Sequence, residues 1–270
     1  MPDRRSLLSA TLAAAGAGIG LLPAAPAAAR PQKNTQARNR VQAQTGPATP
    51  PAALEELWSG NRRWVSGDLK PRDPAELRRA RVAGGQHPFA VVFSCIDSRV
   101  PPEIVFDQDL GGLFVVRTAG VALDPLVAGT VEYGPAHGTP LVMVLGHSRC
   151  GAIQATVDSI EDGVTLPGNL PEVVEALSPA YHRARRDFPP GSTRQQRVEA
   201  TVRAQVELTV HRLRQDPVLR PLIEQGSAAV TGGIYSLDTA AVTQIAQTTQ
   251  TTQTTWTPAG RLLQATASRR

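Results

Sequence analysis

Short apolar runs alternate with amphipathic stretches along this chain. Four runs predict buried strands, at about residues 89–94, 113–118, 141–145 and 228–236. Apolar residues at helical spacing predict helices between them, at about residues 126–133, 152–160 and 193–216. Strands that alternate with helices favour an α/β fold, in which a single domain has a mainly parallel four- to five-stranded sheet flanked by helices.

Proline and glycine set the predicted limits of several elements. The helix over 126–133 is expected to end at Gly134 and Pro135, and the third strand is expected to stop at Gly146. The region 167–190 predicts short helical pieces separated by prolines. Two earlier helices are predicted at about 54–65 and 74–81, so we place the folded domain at residues 52–245.

The two ends of the chain differ in composition from the middle. Residues 1–29 combine a basic start at Arg4-Arg5, an apolar middle rich in Ala and Gly, and the sequence Ala27-Ala-Ala29, which is the layout of a cleaved export signal. The paired arginines favour the twin-arginine type; the alternatives are an ordinary secretory signal or a retained membrane anchor. Residues 30–51 predict a flexible leader, and residues 246–270 predict a low-complexity tail.

These features predict an exported protein, located outside the cell or in the cell envelope, and in the periplasm where the cell has an outer membrane. No stable membrane span is expected in the mature chain, which should begin near Arg30. Amino-terminal sequencing of protein from the culture medium or the envelope measures this. Recovery only from the cytoplasm, with Met1 or Pro2 intact, would contradict it.

Composition argues against a nucleic-acid partner. The formal net charge is +5, but the arginines are scattered and aromatic residues make up only 4% of the chain. A basic surface with interleaved stacking aromatics is therefore not expected. The hydrophobic content of 41% is enough for a full globular core.

Reactive side chains directly follow two of the predicted strands. Cys95, Asp97 and Arg99 come after the first strand, and His147 and Cys150 come after the third. Open α/β sheets bind ligands in the crevice outside the carboxyl ends of their strands. Two thiolates and an imidazole suit Zn²⁺ and leave a fourth position for water or for a competing carboxylate.

We predict that Cys95, His147 and Cys150 bind zinc, and that Asp97 becomes a further ligand only in a closed state. The alternative is a pair of structural cysteines with a buried, hydrogen-bonded histidine. Because the metal holds both thiolates, we predict no disulfide in the zinc-loaded protein, although an oxidising compartment would permit one.

The segments Cys95-Ile-Asp-Ser-Arg99 and His147-Ser-Arg-Cys-Gly151 resemble the paired signature of the β-class carbonic anhydrases, and the likeness extends over about residues 54–242. It implies reversible hydration of carbon dioxide to bicarbonate and a proton by zinc-bound hydroxide, oriented by a dyad of Asp97 and Arg99. It also implies substrate-binding positions at Gln86, Phe114, Ala119, Tyr133 and Gly151.

The same resemblance implies a homodimer or a larger assembly of dimers, because early helices of that family reach over a neighbouring subunit. Arg117 matches an arginine that binds regulatory bicarbonate in some bacterial members, but Val92 stands where those members have tryptophan. Two other functions stay open: a relative that acts on carbon disulfide, and an exported zinc-binding scaffold without turnover. The intact Asp97 and Arg99 favour carbonic anhydrase.

Overall fold

The structure, a computed structural model, describes residues 46–245. The strands are β1 (Ala90–Cys95), β2 (Leu113–Thr118), β3 (Leu141–His147), β4 (Ala229–Tyr235) and β5 (Val242–Gln244). The helices are α1 (Pro50–Ser66), α2 (Ala75–Val82), α3 (Pro102–Val105), α4 (Pro125–Ala136), α5 (Gly151–Asp162), α6 (Leu170–Ala184), α7 (Arg194–Arg214) and α8 (Leu219–Glu224). The predicted export signal, most of the predicted leader and the predicted tail lie outside the described residues.

The described strands form one sheet in the order β2-β1-β3-β4-β5. Four of them run parallel, and β5 pairs antiparallel with β4. This confirms the predicted α/β fold with a mainly parallel sheet. β1 and β3 are buried along their whole length. Because both faces of these strands are covered, their sequences are apolar at nearly every position rather than at alternate ones. No helix within residues 46–245 has both the length and the hydrophobicity to cross a membrane.

The long helix α7 covers one face of the sheet. A capping box fixes its amino end: the Thr193 hydroxyl accepts from the Gln196 backbone N–H, and the Gln196 side chain accepts from the Thr193 N–H. The apolar residues that recur at helical spacing along α7 are all buried: Val198, Val202, Val206, Val210 and Leu213. Val206 packs closely against Gly146 near the carboxyl end of β3 and against Gly232 in the middle of β4.

The expected stop of the third strand at Gly146 is wrong. β3 continues to His147, which pairs in register with Tyr235 of β4. A Cβ at position 146 would lie 2.6 Å from a methyl group of Val206, so glycine is required there by the close approach of α7.

The expected end of the helix before Gly134 and Pro135 is also wrong, because α4 continues to Ala136. A Cβ at position 134 would lie 2.3 Å from a methyl group of Val91 in β1. This glycine is a site of close helix–sheet contact and does not end the helix.

The proline-rich region 167–190 contains one helix of 15 residues, α6, instead of short pieces. Pro179 lies inside it, where a proline costs about 3 kcal/mol. The helix also buries Leu177, Ala180 and Tyr181, and each large apolar side chain contributes about 1.5–3 kcal/mol when it leaves water. Burial therefore outweighs the local preference. The short elements α3, α8 and β5 were likewise not predicted.

A buried asparagine connects α1 with the last strand. The Asn61 amide nitrogen donates to the carbonyls of Val105 at 3.1 Å and Ala240 at 2.9 Å, and its oxygen accepts from the Val242 N–H at 2.8 Å. A buried amide is tolerated only with such partners. Asn61 thus holds β5 against the first helix.

A buried carboxylate ties the segment after α1 to the rest of the domain. The Asp107 side chain has no exposed area and accepts hydrogen bonds from Arg63 at 2.6 Å, Arg72 at 2.9 Å and the Lys70 backbone N–H at 3.1 Å. Burial alone would raise the pKa of this carboxyl. The hydrogen bonds and the two guanidinium charges outweigh burial, so the pKa is lowered.

Asp107→Asn is expected to lower the free energy of unfolding by about 2–3 kcal/mol at neutral pH, because two partly buried guanidinium groups lose their charged partner. The folded-state pKa lies below the unfolded value of about 4. The contribution of the carboxylate is therefore complete above about pH 4 and is lost as the pH falls through the lowered pKa. Urea unfolding at neutral and acid pH measures both effects.

The control is Asp73→Asn, which removes an exposed carboxylate paired with Arg81. Exposed ion pairs contribute about 0–1 kcal/mol. Equal losses of stability in the Asp73→Asn and Asp107→Asn variants would contradict the assignment to the buried network.

Candidate metal centre

The predicted zinc ligands meet at the carboxyl edge of the sheet. Cys95 is the last residue of β1 and His147 the last of β3, and these neighbouring parallel strands end side by side. Cys150 immediately precedes α5. One ligand atom from each of the three side chains lies within 4.8 Å of the other two, and all three residues are buried.

The two thiols have the spacing that a shared metal requires. The Sγ atoms of Cys95 and Cys150 are 3.9 Å apart, and both cysteines are free. Two thiolates that each lie about 2.3 Å from one tetrahedral zinc would be about 3.8 Å apart. The donor set therefore fits zinc, and the cysteines form no disulfide with each other.

The histidine is oriented for metal binding. His147 Nδ1 lies 3.0 Å from the Ser148 carbonyl oxygen, to which it donates in the Nδ1–H tautomer. Nε2 is buried and has no hydrogen-bond partner. A histidine ligand commonly donates its other ring N–H to a carbonyl, which leaves the lone pair of the free nitrogen for the metal. The unpartnered Nε2 is the atom that a metal would satisfy.

Hydrogen bonds to sulfur favour a thiolate at Cys95. The Cys150 thiol is the largest of these influences; burial opposes it, and backbone N–H groups, among them that of Gly120, 3.3 Å from Sγ, assist it. Together they lower the pKa of Cys95 to about 4. The pKa of Cys150 is raised by the adjacent Cys95 sulfur and by burial, although backbone amides at the start of α5 act in the opposite sense. Without a cation, the two sulfurs therefore share one negative charge.

Asp97 and Arg99 form a bidentate ion pair beside the three candidate metal ligands. Arg99 Nε donates to Asp97 Oδ1 at 2.9 Å and its terminal nitrogen to Oδ2 at 2.7 Å, while the Arg99 backbone N–H also donates to Oδ1 at 3.0 Å. Asp97 Oδ2 lies 3.8 Å from His147 Nε2. The hydrogen bond from Arg99 is the main cause of the lowered pKa of Asp97, about 2, so the carboxylate is ionised at neutral pH.

Arg117 holds the backbone that carries Cys95 and Asp97. From the edge strand β2 it donates to the Cys95 carbonyl at 2.8 Å and to the Asp97 carbonyl at 2.6 Å. The sequence did not predict this role. The available signal was a charged residue in the otherwise apolar run Leu113–Thr118, but its partner follows only from the pairing of β2 with β1.

The remaining predicted site residues fall into two groups. Ala119 directly precedes Gly120, whose N–H contacts Cys95, and Gly151 begins α5 beside Cys150. Both positions therefore lie at the metal ligands.

Gln86, Phe114 and Tyr133 lie toward the other end of the strands. Gln86 is exposed in the segment before β1, and Phe114 pairs in register with Val91 near the start of β1. The ring of Tyr133 contacts that of Phe114 edge-to-face at 5.9 Å and is exposed. The six residues of β1 span about 20 Å, so one chain does not bring Gln86 to its own metal ligands.

Comparisons with known proteins agree with this geometry. The sequence profile of the family described as "Carbonic anhydrase" matches residues 90–242. "Carbonic anhydrase 2" of Mycobacterium tuberculosis is 43% identical over 194 residues, which cover 70% of this chain and 89% of that protein. "Carbonic anhydrase" of Mycolicibacterium smegmatis is 39% identical over 193 residues, which cover 70% of this chain and 90% of that protein.

The fold has a match among solved structures. A β-carbonic anhydrase of the ascomycete Sordaria macrospora, described as tetrameric, superimposes with a TM-score of 0.58 at 21% identity, over 71% of this chain and 96% of that one. At this identity the match concerns the fold alone. Profile, relatives and fold agree, and the chain belongs to the β-class carbonic anhydrase family.

Proposed function

We propose that this protein is a zinc-dependent carbonic anhydrase, which interconverts carbon dioxide with bicarbonate and a proton. The observation that carries the proposal is the buried cluster of Cys95, His147 and Cys150 with the ionised Asp97 beside it. The two mycobacterial relatives named carbonic anhydrase support the reaction.

Different residues of the chain have different roles around the metal. Cys95, His147 and Cys150 would hold Zn²⁺, which when bound would lower the pKa of a coordinated water and so supply a hydroxide nucleophile at neutral pH. Asp97, kept ionised and oriented by Arg99, accepts a hydrogen bond from the nucleophile and leaves a lone pair for the carbon of carbon dioxide. Arg117 fixes the backbone from which both Cys95 and Asp97 project.

The proposal includes a second copy of the chain. β2 is an edge strand of sequence Leu-Phe-Val-Val-Arg-Thr, and all six of its residues are only half-buried. An apolar strand edge with unpaired backbone groups favours association. Gln86, Phe114 and Tyr133 lie far from the metal ligands of their own chain. With a second copy at this edge, they would line the metal site of the partner chain instead.

Complementation between two inactive variants tests this arrangement. Gln86→Ala and Asp97→Asn chains are each expected to lose activity, but a mixed dimer would contain one site with both wild-type residues. With random pairing, half of the dimers are mixed and half of their sites are intact, so about a quarter of wild-type activity should return on coexpression. Light scattering should show a dimer or a multiple of it. A fully active monomer, or no recovery in verified mixed dimers, would contradict the shared site.

Stopped-flow hydration of carbon dioxide by the purified protein, together with elemental analysis, tests the function itself. We expect about one zinc per chain and activity that rises between about pH 6.5 and 8.5. A zinc-loaded protein without hydration above buffer from about pH 6 to 9 would overturn the proposal and favour the scaffold. Hydrolysis of carbon disulfide in place of carbon dioxide hydration would favour the other relative.

A further inference from the structure

A strained turn lies against the metal ligands. Between β2 and α4, the Ala122 N–H donates to the Ala119 carbonyl at 3.2 Å. The two central residues, Gly120 and Val121, both have φ of +63°, as in a type I′ turn. Glycine adopts this conformation freely, but a β-branched residue such as Val121 does so only where the surrounding structure enforces it.

The turn has a chemical consequence at Cys95. It directs the Gly120 N–H at the sulfur, 3.3 Å away. A Cβ at position 120 would lie 2.7 Å from a methyl group of Leu177, so the donor is supplied by backbone at a point where no side chain fits. A hydrogen bond of this kind fixes the orientation of the sulfur and stabilises the thiolate relative to the thiol.

One buried side chain holds this turn from the other side. Gln205 of α7 is 5% exposed, and its amide nitrogen donates to the Val121 carbonyl at 3.0 Å and contacts the Thr209 hydroxyl at 3.3 Å. It lines the same small cavity as the metal ligands, between the apolar neighbours Val202 and Val206. Burying an amide among apolar side chains costs free energy unless the amide is hydrogen-bonded. An apolar side chain would fill this position without that cost, so packing alone does not account for a glutamine here.

We propose that Gln205 is a positioning residue for the metal centre: it holds Val121 in the left-handed conformation, so that the Gly120 N–H donates to the Cys95 sulfur. The inference rests on the proposed zinc site. It assigns a role to a residue 110 positions after Cys95, outside both ligand segments.

Gln205→Met, which keeps the length of the side chain and removes the donor, tests the proposal. We expect the affinity for zinc, measured by competition with a chelator, to fall about tenfold, the lower end of the effect of residues that orient metal ligands. Hydrogen exchange of the Gly120 amide in the zinc-loaded protein should become faster. Thr201→Val is the control, because Thr201 is buried on the same helix but bonds only to the Arg197 carbonyl of that helix.

A second substitution separates positioning from general destabilisation. Glycine at position 121 adopts positive φ without strain, so Val121→Gly in the Gln205→Met background should restore the protection of the Gly120 amide and most of the zinc affinity. It should not restore thermal stability, because a buried valine has been removed. If Gln205→Met does not fold, Gln205→Leu gives the same comparison, since leucine also lacks the donor and carries no charge.

Unchanged Gly120 exchange and unchanged zinc affinity in the Gln205 variant would overturn the proposal, as would equal losses in Thr201→Val. Both measurements are made without substrate. A protein that binds zinc but does not hydrate carbon dioxide would therefore fail the proposed function while leaving this inference to be decided on zinc affinity and exchange alone.

Discussion

Replacement of Cys150 by alanine is expected to lower the affinity for zinc by about 10²- to 10³-fold and to remove nearly all hydration of carbon dioxide. Protein zinc sites bind with roughly 10–16 kcal/mol, so loss of one of about four ligands removes about 3 kcal/mol. The chain has only two cysteines. No other thiolate is therefore available to replace Cys150 beside Cys95.

Ser94→Ala is the matched control for this variant. Ser94 is buried one residue before Cys95, its hydroxyl has no hydrogen-bond partner among the described residues, and strand alternation directs it to the opposite face of the sheet. The alanine variant should keep its zinc and gain up to about 1 kcal/mol of stability. Elemental analysis and chelator competition measure both variants, and undiminished zinc in Cys150→Ala would refute the ligand assignment.

Asp97→Asn is expected to reduce kcat/KM for hydration by about 10²-fold, the scale of a lost oriented hydrogen bond in a transition state. The amide keeps the shape of the carboxylate, but one acceptor oxygen becomes an N–H₂ group that cannot accept from Arg99 or from the nucleophile. Zinc content should not change, because Asp97 is paired with Arg99 rather than among the three ligands. Full activity in the zinc-loaded variant would exclude the orienting role.

Arg99→Met should lower activity most at low pH, by about tenfold near pH 6.5. Arg99 is the main cause of the lowered pKa of Asp97, so its loss raises that pKa and releases the carboxylate. The released carboxylate competes with water for the metal, and this competition is strongest where water is least ionised. Arg149→Met is the control with the same change of charge, since Arg149 is exposed and pairs with Asp238. Identical pH profiles for the two variants would contradict the specific role.

Sequence patterns predicted the elements whose signals are local. β2 has the predicted bounds of Leu113–Thr118, because its apolar run is short and enclosed by Gly112 and a turn. The cluster of Cys95, His147 and Cys150 was predictable because both cysteines and the histidine directly follow apolar runs. The ion pair between Asp97 and Arg99 was predictable because these residues are only two positions apart.

Features that depend on contacts between distant segments were missed. The glycine pattern predicts that elements end at Gly134 and Gly146, yet both glycines lie within regular elements, where a neighbouring side chain comes too close for a Cβ. The bond of Arg117 to the Cys95 carbonyl depends on the register between β1 and β2, and the contact of Gln205 with Val121 depends on how α7 crosses the sheet. The periodicity of apolar residues indicates which face of an element is buried, but it does not identify the residues of other elements that pack against that face.

The position of Asn61 affects the order in which the domain can be completed. Its partners Ala240 and Val242 lie 179 and 181 residues further along the chain. On a ribosome, the first helix is made early, but these two hydrogen bonds cannot form until nearly the whole domain has emerged. Long-range contacts of this kind form slowly, because a large loop must close before they can contribute. During synthesis, the apolar face of α1 and part of the hydrogen-bonding capacity of Asn61 therefore stay exposed to water until the last strand emerges.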